Sequence, residues 1–128
     1  MVLSPLLLTL NLFSVQDFPL AASPVIPQLA IHFAEPLNLE EIAQRAHMSK
    51  STLGRCFQEC FGMSPMNYLT DLRLKHAEHL LRDTKIQICD IAPRVGIEDA
   101  SYFARLFRKH TGLEPSAYRE KMSRAKEA

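Results

Sequence analysis

The second half of this sequence repeats the first at a fixed offset, which restricts the chain to folds built from two similar units. At a shift of 50 residues Ser51 matches Ser101, Arg55 matches Arg105 and Phe57 matches Phe107. In the same register Gly62 matches Gly112, Pro65 matches Pro115 and Tyr68 matches Tyr118. Just upstream the shift becomes 49, where Ile42-Ala43 matches Ile91-Ala92. Identities in one register, at residue types that turn, pack or cap a chain, are hard to obtain by chance. Two copies are too few for a solenoid, and they suggest a duplicated helix-turn-helix.

Each copy reads as helices. From Pro27 onward apolar residues recur at helical spacing and strand signals are few. Asn38 followed by Glu41 is a capping-box pattern opening a helix through Ile42, Ala43 and Ala46. Ser49 caps a second helix with Leu53, Cys56, Phe57 and Cys60 on one face, and Gly62 ends it. Ser64-Pro65 starts a longer helix whose apolar side is Tyr68, Leu69, Leu72, Ala77, Leu80 and Leu81. The second copy brings a helix over 88–95, a helix capped by Asp99 and closed by Gly112, and a last segment from Pro115. The expected division is an N-terminal extension and linker over 1–27, a binding domain over 28–122 and a tail over 123–128. Within the domain, units 38–61 and 87–111 are joined by a helix over 65–82.

A helix-turn-helix braces one helix with another so that the second can enter the major groove of DNA. The entering helix must be dry on one side and polar on the other. In residues 50–61 the side opposite Leu53, Cys56 and Phe57 carries Ser51, Arg55 and Gln58, flanked by Gly54. In residues 100–111 the side opposite Phe103, Leu106 and Phe107 carries Ser101, Arg105 and Arg108, flanked by Ala104. Small residues allow close approach to base edges, and arginine can bridge guanine O6 and N7. Lys50, Gln58, Arg108 and Lys109 are the expected phosphate and flanking contacts, giving affinity without sequence information. The joining helix would be roughly 25 Å long at 1.5 Å per residue, a strut able to hold two readers near one DNA turn apart, roughly 34 Å.

Charge agrees with a polyanionic partner. The net charge is only +1, but residues 1–44 contain no Lys or Arg and four acids. All 15 Lys and Arg lie in residues 45–128 against ten acids, a net of +5. Hydrophobic residues make up 47% of the 128, enough for a core. The odd number of cysteines, Cys56, Cys60 and Cys89, indicates reduced thiols in a cytoplasmic protein. The Leu-rich residues 1–14 lack the basic start of a signal peptide and are too short to span a bilayer. Leu20-Ala21-Ala22 has the look of a cleavage site, yet the plainer reading is a remnant of a partner domain followed by a linker with Pro19, Pro24 and Pro27.

The residues then resemble the AraC/XylS family of transcription regulators over about 28–120. The carriers are Leu39-Glu40-Glu41-Ile42-Ala43, Met48-Ser49, Leu53-Gly54-Arg55-Cys56-Phe57 and Gly62-Met63-Ser64-Pro65. Further carriers are Arg73-Leu74, Gly96-Ile97, Asp99-Ala100-Ser101-Tyr102-Phe103, Arg105-Leu106-Phe107 and Tyr118-Arg119. The resemblance implies an all-α domain of about seven helices that binds double-stranded promoter DNA and usually activates transcription through RNA polymerase. It places the base-reading positions on Ser51, Gly54 and Arg55 in the first unit. In the second they fall on Ala100, Ser101, Ala104 and Arg105. No cofactor, metal, membrane or small-molecule ligand is expected for this segment.

Two features argue for care. Pro93 falls inside the bracing helix of the second unit, where it removes the hydrogen bond to the Cys89 carbonyl, so a weakened or bent second unit is expected. Such a unit could survive as a protein-interaction module without DNA affinity. His76 with His79 and Cys56 with Cys60 have helical spacing that could suggest zinc, but the cysteines face the core and no CxxC pair exists. His32, His47 and His110 read as surface or boundary residues, and Lys121, Arg124 and Lys126 as a fraying helix end. No nucleophile–base pair, phosphate loop or placed carboxylate pair marks an enzyme.

Overall fold

The computed structural model describes residues 25–127, which form seven helices and no strands among the described residues. They are α1 (Val25–His32), α2 (Leu39–Ala46), α3 (Lys50–Phe61), α4 (Pro65–Asp83), α5 (Ile88–Arg94), α6 (Ala100–Thr111) and α7 (Pro115–Glu127). The expected all-α double unit is what forms. Residues 1–24, with the Leu-rich run and most of the expected linker, lie outside the described residues.

The helix ends follow the local chemistry. Asn38 Oδ1 accepts the Glu41 N–H at 2.8 Å, Ser49 Oγ accepts Thr52 N–H at 3.1 Å, and Ser64 Oγ accepts Asn67 N–H at 3.1 Å. Each bond satisfies an amide that the first helical turn leaves without a partner. Pro65 sits in the first turn of α4, where its missing N–H is harmless. Gly62 and Gly112 close α3 and α6 in the left-handed region.

Two hydrophobic clusters meet on one strut. The first gathers Val25, Leu29, Leu37, Ile42, Ala43, Ala46, Leu53, Cys56, Phe57 and Leu69. The second gathers Leu74, Ala77, Leu81, Ile91, Ala92, Val95, Ile97, Phe103, Phe107 and Tyr118. The early part of α4 serves the first cluster through Leu69, and its later turns serve the second through Leu74, Ala77 and Leu81. The repeat is kept in the packing. Phe57 meets Tyr68 edge to face at 5.4 Å, and Phe107 meets Tyr118 edge to face at 5.2 Å, a favoured aromatic geometry.

Arginines tie the units together. Arg73 on α4 donates from Nε to the Phe33 carbonyl at 2.7 Å and from Nη2 to the Glu35 carbonyl at 2.8 Å. Arg119 on α7 does the same for the end of α4, donating to the carbonyls of Leu81, Leu80 and Thr84. Both guanidinium groups thus hold the chain at or just past a helix end, Arg73 the loop after α1 and Arg119 the last turn of α4.

Three expectations change. α1 starts at Val25, inside the stretch read as linker, because Pro27 fits the first turn of a helix as well as it fits a linker; Val25 and Leu29 are core residues. The tail stays helical to Glu127, since Lys126 Nζ reaches both the Arg82 carbonyl and Asp83 Oδ1 at the end of α4. Pro93 is the next-to-last residue of α5 and is exposed. The turn after it closes with an Ile97 N–H bond to the Ala92 carbonyl at 2.9 Å, matching Met48 N–H to Ala43 at 3.1 Å in the first unit. The proline therefore leaves the turn of the second unit in place.

Candidate nucleic-acid interface

A reading helix needs a rigid backing and a free front. In the first unit α3 is backed by α2 and α4, and Leu53, Cys56 and Phe57 are buried. In the second, α6 is backed by α4, α5 and α7, with Phe103 and Phe107 buried. The fronts are exposed at Lys50, Ser51, Arg55 and Gln58 on α3, with Gly54 half-buried between them. On α6 they are exposed at Ala100, Ser101, Arg105, Arg108 and Lys109, with Ala104 half-buried. All the residues expected from sequence thus lie on these two helices, outside the core. The strut between them is 19 residues long, about 28 Å at 1.5 Å per residue.

The two fronts differ in charge. Helix α3 carries two cations, Lys50 and Arg55, and one acid, Glu59. Arg55 Nε lies 3.8 Å from Glu59 Oε1, and Lys50 Nζ lies 3.6 Å from Glu40 Oε1 on the bracing helix. Helix α6 carries Arg105, Arg108 and Lys109 and no acid. Arg108 pairs with Glu114 across the following turn at 3.7 Å. Arg105 has its guanidinium 5.6 Å from the centre of the Tyr102 ring. Reading the sequence by faces left Glu59 out; its i,i+4 spacing from Arg55 was the available signal.

Two amides are capped at the start of α6, against one amide and one hydroxyl at the start of α3. Asp99 Oδ1 accepts both Ser101 N–H, at 2.9 Å, and Tyr102 N–H, at 3.2 Å. The other end of α6 is fixed to the strut. His110 Nε2 hydrogen-bonds Glu78 Oε2 at 2.8 Å, and the Tyr118 hydroxyl donates to Glu78 Oε1 at 3.2 Å. His110, read from sequence as a surface or boundary residue, is exposed and also joins α6 to the strut. A cleft between α4 and α6 is lined by Asn67, Asp71, Lys109 and His110 among others.

The remaining candidates are structural. Burial pushes the Cys56 and Cys60 thiols above their ordinary value, which keeps them protonated against the core. His76 stacks on Phe33 with ring centres 3.9 Å apart, and burial followed by the charge of His79 lowers its pKa. His47 is the only non-glycine with positive φ among the described residues and forms the turn between α2 and α3. Among the described residues no cluster of three or more His, Cys, Asp or Glu side chains is placed to hold a metal. No helix among them is long and apolar enough to cross a membrane.

Two braced reading helices on a common strut define a double helix-turn-helix domain. Comparison with known proteins agrees. A family model described as a helix-turn-helix domain matches residues 42–121. The transcriptional activator RhaS of Escherichia coli (strain SE11) is 37% identical over 89 residues, covering 70% of this chain and 32% of RhaS. The chain thus spans about a third of the length of the curated relatives it matches. The DNA-binding domain of AdpA, a global transcriptional factor solved in complex with a target DNA, superposes with a TM-score of 0.75 at 31% identity, covering 80% of this chain and 91% of that one. An AraC-type regulator from Chromobacterium violaceum gives a TM-score of 0.73 at 28% identity, covering 77% of this chain and 88% of that one. The chain belongs to the AraC/XylS family of DNA-binding transcription regulators.

Proposed function

We propose that this chain is the promoter-reading part of a transcription activator, with α3 and α6 lying in successive major-groove segments on one side of the duplex. The observation that carries this is the matched pair of exposed fronts, Ser51 with Arg55 and Ser101 with Arg105, repeated at a 50-residue shift on helices backed by one strut. Ser51, Gly54 and Arg55 read base edges in one segment. Ala100, Ser101, Ala104 and Arg105 read those in the next. Lys50, Gln58, Arg108 and Lys109 hold phosphates and flanks. The chain works by binding rather than by catalysis, in the cytoplasm where promoters are. RhaS is named a transcriptional activator and the AdpA domain is seen on its target DNA; activation by this chain would use a promoter-bound surface offered to RNA polymerase.

The unit that does this is the domain over 28–122, extended to include α1 from Val25 because its core residues pack with the first reader. Selection from a random duplex library, followed by gel shift at moderate salt, tests the proposal. Wild type is expected to prefer the selected site over random DNA by about 10³-fold or more, and the Arg55→Ala/Arg105→Ala double variant to lose most of that preference. Wild-type binding no tighter to any selected site than to random DNA overturns it.

A further inference from the structure

Tyr102 is a large side chain that packing does not explain. It is 48% exposed, whereas Phe61, the comparable exposed ring on α3, packs against Phe57 and Tyr68. Tyr102 lies on the first turn of α6 next to Ser101, at the edge of the exposed front that carries Ser101 and Arg105. Its backbone is fixed, because its N–H is one of the two held by Asp99. Arg105 follows one turn later, and helical side chains lean back toward the N-terminus, so the guanidinium passes over the ring of the residue three before it. The separation of 5.6 Å is within cation–π range.

An exposed arginine samples many rotamers, and most of that freedom is lost when it grips a base. A guanidinium already held over a neighbouring ring has less to lose, and that cation–π contact leaves its N–H groups free to donate. We propose that Tyr102 is a positioning residue that holds Arg105 ready to donate to a guanine edge, and so sets how strictly the second unit reads that base. This rests on the reading of α6 given above. The first unit has no such device: the position matching Tyr102 is Thr52, whose hydroxyl accepts from Ser49 Oγ at 3.0 Å, and Arg55 turns to Glu59 instead. The two reading arginines are therefore held in different ways, one by a neutral ring and one by a carboxylate.

The test compares Tyr102→Ala, Tyr102→Phe, Arg105→Ala and the Tyr102→Ala/Arg105→Ala double variant. In DNA-free protein, NMR should show the Arg105 Hε resonance shifted upfield by the ring in wild type and in Tyr102→Phe, with the shift lost in Tyr102→Ala. On the selected site, Tyr102→Ala should bind about threefold to fivefold more weakly and flatten preference at the same base step that Arg105→Ala flattens. Its affinity for random DNA should fall less than that for the selected site, and Tyr102→Phe should match wild type. The double variant should bind no worse than Arg105→Ala alone. Equal loss in Tyr102→Phe and Tyr102→Ala would assign the effect to the hydroxyl and overturn the proposal. Additive losses in the double variant, or no ring-current shift in wild type, overturn it as well. Wild type selecting no site defeats the DNA reading itself, an outcome distinct from a wild type that selects normally while Tyr102→Ala does too.

Discussion

The two helix-turn-helix units share their packing and their turns but part company in charge and in the residue that makes each turn. His47 and Gly96 occupy equivalent positions, each with positive φ. His47 is exposed and needs only to tolerate that conformation. At Gly96 a side chain would also collide, because an added Cβ would lie 2.9 Å from Arg73 Nε and 3.0 Å from the Cα and carbonyl of Ala34. The second turn is thus pressed against the loop that follows α1, at the place where Arg73 holds that loop. The first turn is free. The turn of the second unit is therefore the one locked to the loop after α1, even though its bracing helix contains a proline.

The largest expected effect breaks this asymmetry directly. Gly96→Ala should lower stability by about 3 kcal/mol, combining left-handed strain with a backbone collision. Gly112→Ala, with the same sign of φ but open space around it, should lower it by only about 1 kcal/mol. Chemical denaturation of both variants measures the difference, and equal losses would remove the claim that Gly96 is a packing junction. Next comes Pro93→Ala, which restores a backbone donor to the last turn of α5. It should raise the melting temperature by an amount equivalent to about 1 kcal/mol, less than the cost of a proline deep in a helix because the helix ends one residue later and little of it has to bend around the ring. No change in melting would show that the second unit is not weakened by Pro93.

Charge supplies a smaller contrast. Glu59→Gln frees Arg55 and removes the only acid of α3. Affinity for random DNA should rise about twofold to threefold, in keeping with the small strength of an exposed ion pair. The selected site should gain less, so the preference ratio falls. A titration series over salt concentrations checks this, and a ratio that stays constant would argue that Glu59 plays no part in discrimination.

The smallest effect is on pH. Burial on Phe33, and then His79, hold His76 below the ordinary histidine value, so the unfolded chain takes up the proton first. Stability should therefore be full above about pH 6.5 and decline as pH falls below it. Arg94, Asp83 and His79 line the same cleft, so the slope also carries their interactions. His76→Phe should keep the stack and flatten the decline between pH 7 and pH 5, read from melting curves; an unaltered slope would assign the acid sensitivity elsewhere.

Much of this molecule was legible because its signals are local. Caps at Asn38, Ser49, Ser64 and Asp99 and left-handed closures at Gly62 and Gly112 depend on residues three or four apart, and the 50-residue repeat made each reading check the other. The exposed fronts were legible for the same reason, since a buried stripe at helical spacing fixes what lies opposite it. The boundary at residue 27 was missed because Pro27 serves a helix start and a linker alike, and only the burial of Val25 and Leu29 decides between them. The role of Lys126 was missed because its partners, Arg82 and Asp83, are more than 40 residues away in sequence.

By itself, then, the sequence determined the duplication, the order of the six helices from α2 to α7, and which sides of the two readers stay wet. The sequence also made the two units unequal, with Pro93 in the second bracing helix and Arg108 where the first reader has Gln58. Only the tertiary structure decided how each is held: it set Gly96 beneath the Phe33–Glu35 loop, joined His110 to Glu78, and gave Arg105 a ring where Arg55 has an acid. Periodicity fixes which side of a helix is buried, because that depends on the turn of one helix. Which neighbour a side chain meets across the core depends on how α1, α4 and α7 are laid together, and no local spacing encodes that.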